Sequence, residues 1–473
     1  MNHPACSAPI RGARGLTFAG WLQKFAIIYL TALVFFAWGI ATMQFQVFPY
    51  ALIKSAHSDL TAFVKGHAAE ETTVLGKFLN DINLKPERQL VDFEPQHDRA
   101  YHNVQIDGLR ARRALPLVHS VTGKYESGYR FIFGTFDFRE HLHGAVLIDD
   151  TDTVVHRWIL RDDDRERTLA EAQRKTYTPQ VLKFPHGIEL FSDGSIIFND
   201  GDPGNAIQRM SYCGETMWTT LGSFHHIVKR DNSNASVWAL EGEDNIVKID
   251  SETGQQLLTT TARDIEGANP DIEIFGLRRN IITGEWLEDP WHFNDIEPLP
   301  PELNSAFPMF DAGDLMISAR STNLVFVFDT DSLAIKWWRV GQFRRQHDPD
   351  WQPDGTISVF DNNMRDAVRQ WDQDRYSRVT AVHPGTYETT TIYDGRGEGF
   401  YTELRGHHQV LPNKNILITS PQEGRVFEVT PAGEIVFEFV NSYGDGENLL
   451  VSEAKWVPAD FLDFPIGDYS SCD

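Results

Sequence analysis

Five histidines, His186, His226, His292, His347 and His408, each stand at the head of a segment that alternates like a β-strand. In residues 346–365, QHDPDWQPDGTISVFDNNMR, His347 precedes a Pro-Asp-Gly turn. The run from Thr356 to Asp361 follows, with the period of a half-buried strand. His186 opens HGIELFSDGSIIFND, and Asp193-Gly194 follows it at the spacing at which Asp354-Gly355 follows His347. Imidazole can attack as a nucleophile, exchange protons near neutral pH or ligate a metal. A single such histidine reads as a structural ring bonded to a carbonyl, whereas five at equivalent places in a repeat read as a converging site. No HExxH zinc pattern occurs, and neither a metal nor another cofactor is expected.

The elements that must carry these residues form a second repeat. Six hairpins of apolar alternation, Asp/Gly turn and apolar alternation occur at 146–158, 206–218, 245–258, 324–338, 378–393 and 425–439. Histidine-led hairpins alternate with them, so each repeat supplies four strands. Six four-stranded repeats predict an all-β, six-bladed β-propeller over residues 128–473. A two-sheet sandwich would not need so many similar hairpins. If each histidine opens the innermost strand of a blade, all five face one end of the central channel.

Ahead of the propeller, residues 25–43 run FAIIYLTALVFFAWGIATM without a charge, long enough as a helix to span a bilayer core of roughly 30 Å. Arg11, Arg14 and Lys24 precede it. The positive-inside bias then makes 1–24 a cytoplasmic tail and 25–43 a transmembrane anchor, with the propeller periplasmic or extracellular. A cleaved signal peptide is the competing reading, without an A-x-A site to support it. Residues 44–85 read as a helical stalk and 86–127 as an irregular lead-in. The net charge of −24 argues against a nucleic-acid partner. Cys6, Cys213 and Cys472 are too dispersed for a CxxC motif or a dense disulfide framework. Thr122-Gly-Lys124 lacks the upstream glycine of a phosphate-binding loop, so no nucleotide donor is expected.

The segments HDPDWQPDGTISVFDNNMR, RGHHQVLPNKNILITSPQEGRVFEVTPAGEIVFEFV and WHFNDIEPL with DLMISARSTNLVFVFD resemble the bacterial arylsulfotransferases over about 144–440. The resemblance implies a six-bladed propeller that moves a sulfuryl group from an aryl sulfate to a phenol through a histidine intermediate. It carries His292, His347 and Arg365 over as catalytic residues, with Arg378 as the alternative to Arg365. The sulfated histidine is His408 or His407, the former being preferred because it leads directly into its strand. His407, His226, His186, Arg378 and Arg320 are then expected to contact substrate. The chemistry asks for the same residue types: a neutral imidazole to attack sulfur, and forked guanidinium donors for the sulfuryl oxygens. A membrane-tethered binding or scaffold module and a metal-dependent hydrolase are the readings from other classes. Clustered His and Arg in the channel favour sulfuryl transfer, and a ring of carboxylates favours the hydrolase.

Overall fold

The six expected outer hairpins all form, and each is the outer half of an antiparallel sheet. The structure is a computed structural model. It describes residues 29–31, 33, 91–92, 102–103 and 117–472, except 122, 139–140, 161–185, 201–205, 277–285, 287–288, 365–375, 398–399, 403, 445–446 and 471. Contacts divide the chain into two units, 1–88 and 89–473. The expected anchor and stalk lie outside the described residues apart from Tyr29, Leu30, Thr31 and Leu33, which are helical. Among the described residues no helix is long and apolar enough to cross a membrane.

Six blades make up the second unit. Blade II runs Ile188–Leu190, Ile196–Asn199, Ala206–Met210 and Thr216–Leu221, and blade III runs Phe224–Arg230, Ser236–Glu241, Asn245–Asp250 and Gln256–Thr261. Blade IV comprises Phe293–Pro298, Leu315–Ala319, Leu324–Phe328 and Ile335–Val340; blade V comprises His347–Trp351, Ile357–Asp361, Arg378–Val382 and Thr389–Asp394. Blade VI comprises His407–Val410, Ile416–Ser420, Arg425–Val429 and Ile435–Val440. Blade I takes Tyr129–Phe138, His141–Ile148 and Val154–Leu160 from the front of the domain, but its innermost strand is Val451–Val457, with Val457 opposite Tyr129. That C-terminal strand carries no histidine, which is why six blades present five histidine-led inner strands. A second clasp adds Leu117–Ser120 to the outer edge of blade VI, Val440 opposite Leu117.

Strands such as Leu324–Phe328, LVFVF, are buried at every position because both faces pack on neighbouring blades. Six apolar clusters result, each lying between two adjacent blades. Between blades III and IV the chain also forms a helix, Ala262–Ala268, which the sequence reading did not anticipate. Its Thr261–Asp264 capping box satisfies two otherwise unpaired N–H groups at its start.

The C-terminal tail is fixed by a disulfide between Cys213 and Cys472, which are 259 residues apart. The sequence reading missed this pair because nothing local marks a bridge of that span. Closing so long a loop removes much unfolded-state entropy. Reduction, or Cys472→Ser, is expected to cost about 2–5 kcal/mol, visible as a lower midpoint in denaturant titrations run with and without reductant. Beside the bridge, His156 is buried against Trp158, Phe464 and Tyr469, with Nε2 donating to the Tyr212 carbonyl at 2.9 Å. Burial pushes its pKa down to about 4 from 6.5. Between those values the unfolded chain binds a proton that the folded one refuses, so stability falls as pH drops from about 6.5 to 4. The loss is about 3 kcal/mol at one pKa unit per 1.36 kcal/mol. Melts from pH 7 to 4 should show it, and His156→Phe should flatten that slope.

Candidate active site in the propeller channel

Where the inner strands enter the channel, the backbone departs from a regular ladder. His226, His292, Asp348 and Arg405, on the entry segments of blades III to VI, all have positive φ, between 52° and 62° excepting Asp348 at 51°. Pairing registers slip at 225–228, 293–295 and 347–349, so the inner strands of blades III, IV and V carry bulges there. Bulges re-aim side chains, and non-glycine residues in the left-handed region cost of order 1–3 kcal/mol each, a cost that concentrates at functional sites.

Three of the re-aimed imidazoles form a line. His225 Nε2 lies 2.6 Å from the Gly242 carbonyl oxygen, His225 Nδ1 lies 2.6 Å from His226 Nδ1, and His226 Nε2 lies 3.0 Å from His292 Nε2. The outer end of the line is closed by a bond between His292 Nδ1 and the Asp289 carboxylate. Both ends are therefore acceptors, and the four bonds need four protons. Three neutral imidazoles supply only three. The line holds one extra proton, with the half-exposed Asp289 carboxylate as its counter-charge. Burial, with the charges of neighbouring imidazoles, holds His226 well below its ordinary pKa. His186 packs against His226 with ring centroids 4.6 Å apart and the planes tilted by 41°; burial keeps it neutral too, and its Nδ1 has no hydrogen-bond partner.

His347 is arranged differently. Its Nδ1 donates to Asn362 Oδ1 at 2.7 Å, which fixes the tautomer, and Asn362 is itself held by the carbonyls of Thr402 and Arg405. The lone pair is thereby left on Nε2, which accepts a long 3.2 Å bond from the Arg405 N–H. Burial and the nearby Arg320 charge push His347 well below its ordinary pKa, so it is neutral. Arg320 follows the second strand of blade IV, and its backbone N–H donates to the His292 carbonyl at 3.1 Å.

One step along the channel, Asp348 binds both histidines of blade VI: Oδ1 accepts from His407 Nδ1 at 3.1 Å, and Oδ2 accepts from His408 Nδ1 at 2.9 Å and from the His408 N–H. His408 Nε2 meets Ser358 Oγ at 2.6 Å. Burial would lower both imidazoles, but surrounding carboxylates outweigh it, raising His408 and carrying His407 to about 9 through Glu453 and Asp348. At this level the channel widens to a cavity of about 860 Å³, which Asp348, His407 and His408 line together with Glu189, Lys229, Glu297, Asp350, Glu453 and Lys455.

The structure thus brings together His186, His226, His292 and His347, with Arg320, and sets His407 and His408 beside Asp348. Arg378 stands apart: its Nε donates to Asp361 at 2.7 Å within the blade V ladder. Arg365 lies outside the described residues. Both discriminating features occur, a His and Arg cluster at the strand entries and carboxylates farther along. His225, Asp289, Asp348 and Asn362 were not singled out from the sequence. Each adjoins or lies within three residues of a site histidine, or sits in the DNN segment after His347, and those proximities were the available signal.

Residues 213–442 match the family model for arylsulfotransferase (ASST), from the outer turn of blade II to the end of blade VI. No curated protein matches the chain. Among solved structures it is similar to a Bacteroides caccae protein of unknown function, at 12% identity and TM-score 0.44, over 72% of this chain and 100% of that one. Kuenenia stuttgartiensis hydrazine synthase aligns at 13% identity and TM-score 0.37, over 61% and 70%. Virginiamycin B lyase from Staphylococcus aureus aligns at 12% and 0.33, over 54% and 69%. The match to the arylsulfotransferase family thus lies over residues 213–442, within a six-bladed propeller.

Proposed function

We propose that the chain transfers a sulfuryl group from an aryl sulfate to a phenol at the channel entry, with His347 as the nucleophile. The observation that carries this reading is the pairing of a neutral imidazole, its lone pair fixed on Nε2 by Asn362, with an imidazole line that holds one extra proton. His347 Nε2 attacks sulfur as the sulfur–oxygen bond to the donor phenol breaks, and the leaving phenolate takes a proton from the line through His292. The acceptor phenol then returns a proton to the line as its oxygen takes the sulfuryl group from Nε2. Displaced from Nε2, the Arg405 N–H is free to donate to a sulfuryl oxygen, and the Arg320 and Arg405 charges favour the anion.

His408, the sulfated residue expected from the resemblance, has both ring nitrogens engaged and is biased towards its protonated form, which lacks a lone pair. In this reading it holds Asp348 in place. The uncharged segment 25–43 would tether the propeller outside the cytoplasm, where the Cys213–Cys472 bridge would also persist. The carboxylate-lined stretch favours a metal-dependent hydrolase as the second reading. Incubation with 4-nitrophenyl sulfate separates the two. Nitrophenol release that depends on an added phenol, with sulfated phenol as product, supports transfer; release of inorganic sulfate without acceptor supports hydrolysis.

A further inference from the structure

Midway along the channel, four inner strands converge on His407. Asp295 comes from blade IV, Asp348 from blade V and Glu453 from the C-terminal strand of blade I. The donor atoms of Asp295, Asp348 and His407 all lie within 4.8 Å of one another. Asp295 is 2% exposed and Glu453 3%, yet Asp295 Oδ2 and Glu453 Oε2 have no hydrogen-bond partner. The neighbouring lysines are committed elsewhere: Lys229 to Glu297 at 2.5 Å, and Lys455 to Glu189 and to the other oxygen of Glu453, each at 3.1 Å. Carboxylate oxygens buried without a donor are costly unless a cation meets them.

We propose that Asp295, Asp348 and His407 hold a divalent metal ion of the Mn²⁺ or Zn²⁺ class, with Glu453 beside it, the ion displacing to solvent the proton that His407 shares with Asp348. Two carboxylates and an imidazole make a mixed oxygen and nitrogen donor set. Such a set suits these ions better than Mg²⁺ or Ca²⁺, which take oxygen ligands. The three donors come from three blades, so no motif spacing in the chain announces them. This inference stands apart from sulfuryl transfer, because it rests on the buried oxygens and not on the imidazole line.

The test uses the full chain, stripped with EDTA and titrated with MnCl₂, following the free Mn²⁺ signal by electron paramagnetic resonance and the melting temperature in parallel. One Mn²⁺ is taken up per chain, it is displaced by Zn²⁺, and it raises the melting temperature. Asp295→Asn, which keeps the shape and removes an ionisable ligand, binds at least about tenfold more weakly and melts no lower than the parent when metal-free. His407→Gln provides the second variant. Absence of Mn²⁺ uptake by the folded parent, or uptake unchanged in both variants, overturns the assignment.

Discussion

His347→Asn is expected to lower aryl-sulfate transfer by at least about 10³-fold while leaving the melting temperature nearly unchanged. The ring has few obligations besides chemistry: one bond to Asn362 and one long bond from the Arg405 N–H. Asn cannot form the covalent intermediate, so burst-phase nitrophenol release should vanish along with steady-state turnover. His408→Asn acts by another route. It strips a bonding partner from buried Asp348, so its melting temperature should fall together with its rate. The two variants therefore separate a nucleophile from a residue that positions Asp348. Because burial keeps His347 neutral well below its ordinary pKa, the parent's rate should stay level as pH falls from 7 towards 6.

Asp289→Asn should slow transfer by about 10²–10³-fold at neutral pH, within the usual range for acid–base catalysis, and should recover part of the rate in mild acid. The carboxylate is the counter-charge of the fourth proton in the His292, His226 and His225 line. Without it the line keeps that proton only at lower pH, so the optimum moves to the acid side. A pH–rate profile of the two proteins checks this. A uniform loss at every pH would mean that Asp289 merely holds the His292 ring.

The outer hairpins were legible because each is local: a turn of Asp and Gly between two apolar alternations dictates both register and faces, as in Leu324–Phe328 with Ile335–Val340. The closing strand of blade I was not, since Val451–Val457 pairs with Tyr129–Phe138 across most of the domain. The Cys213–Cys472 bridge is remote in the same way. For the site, the repeat gave the histidines at their inner strands, but not their partners. Bulges and positive-φ residues at 226, 292 and 348 break the period-two rule that says which side chains share a face. Asp348 is a case in point. A strand reading gives no reason for it to bond both His407 and His408, whereas the bulge at 347–349 places it there. The roles of His347 and His408 turn on those partners, which is why the resemblance favoured one histidine and the bonding pattern the other.

The most direct test of the account is mass spectrometry of the protein mixed with 4-nitrophenyl sulfate in the absence of phenol. One sulfuryl group per chain is expected, mapped to the peptide that contains His347, absent from His347→Asn and discharged when phenol is added. A sulfuryl group found on His408 or His186, or phenol-dependent transfer that never passes through a sulfated protein, would contradict it.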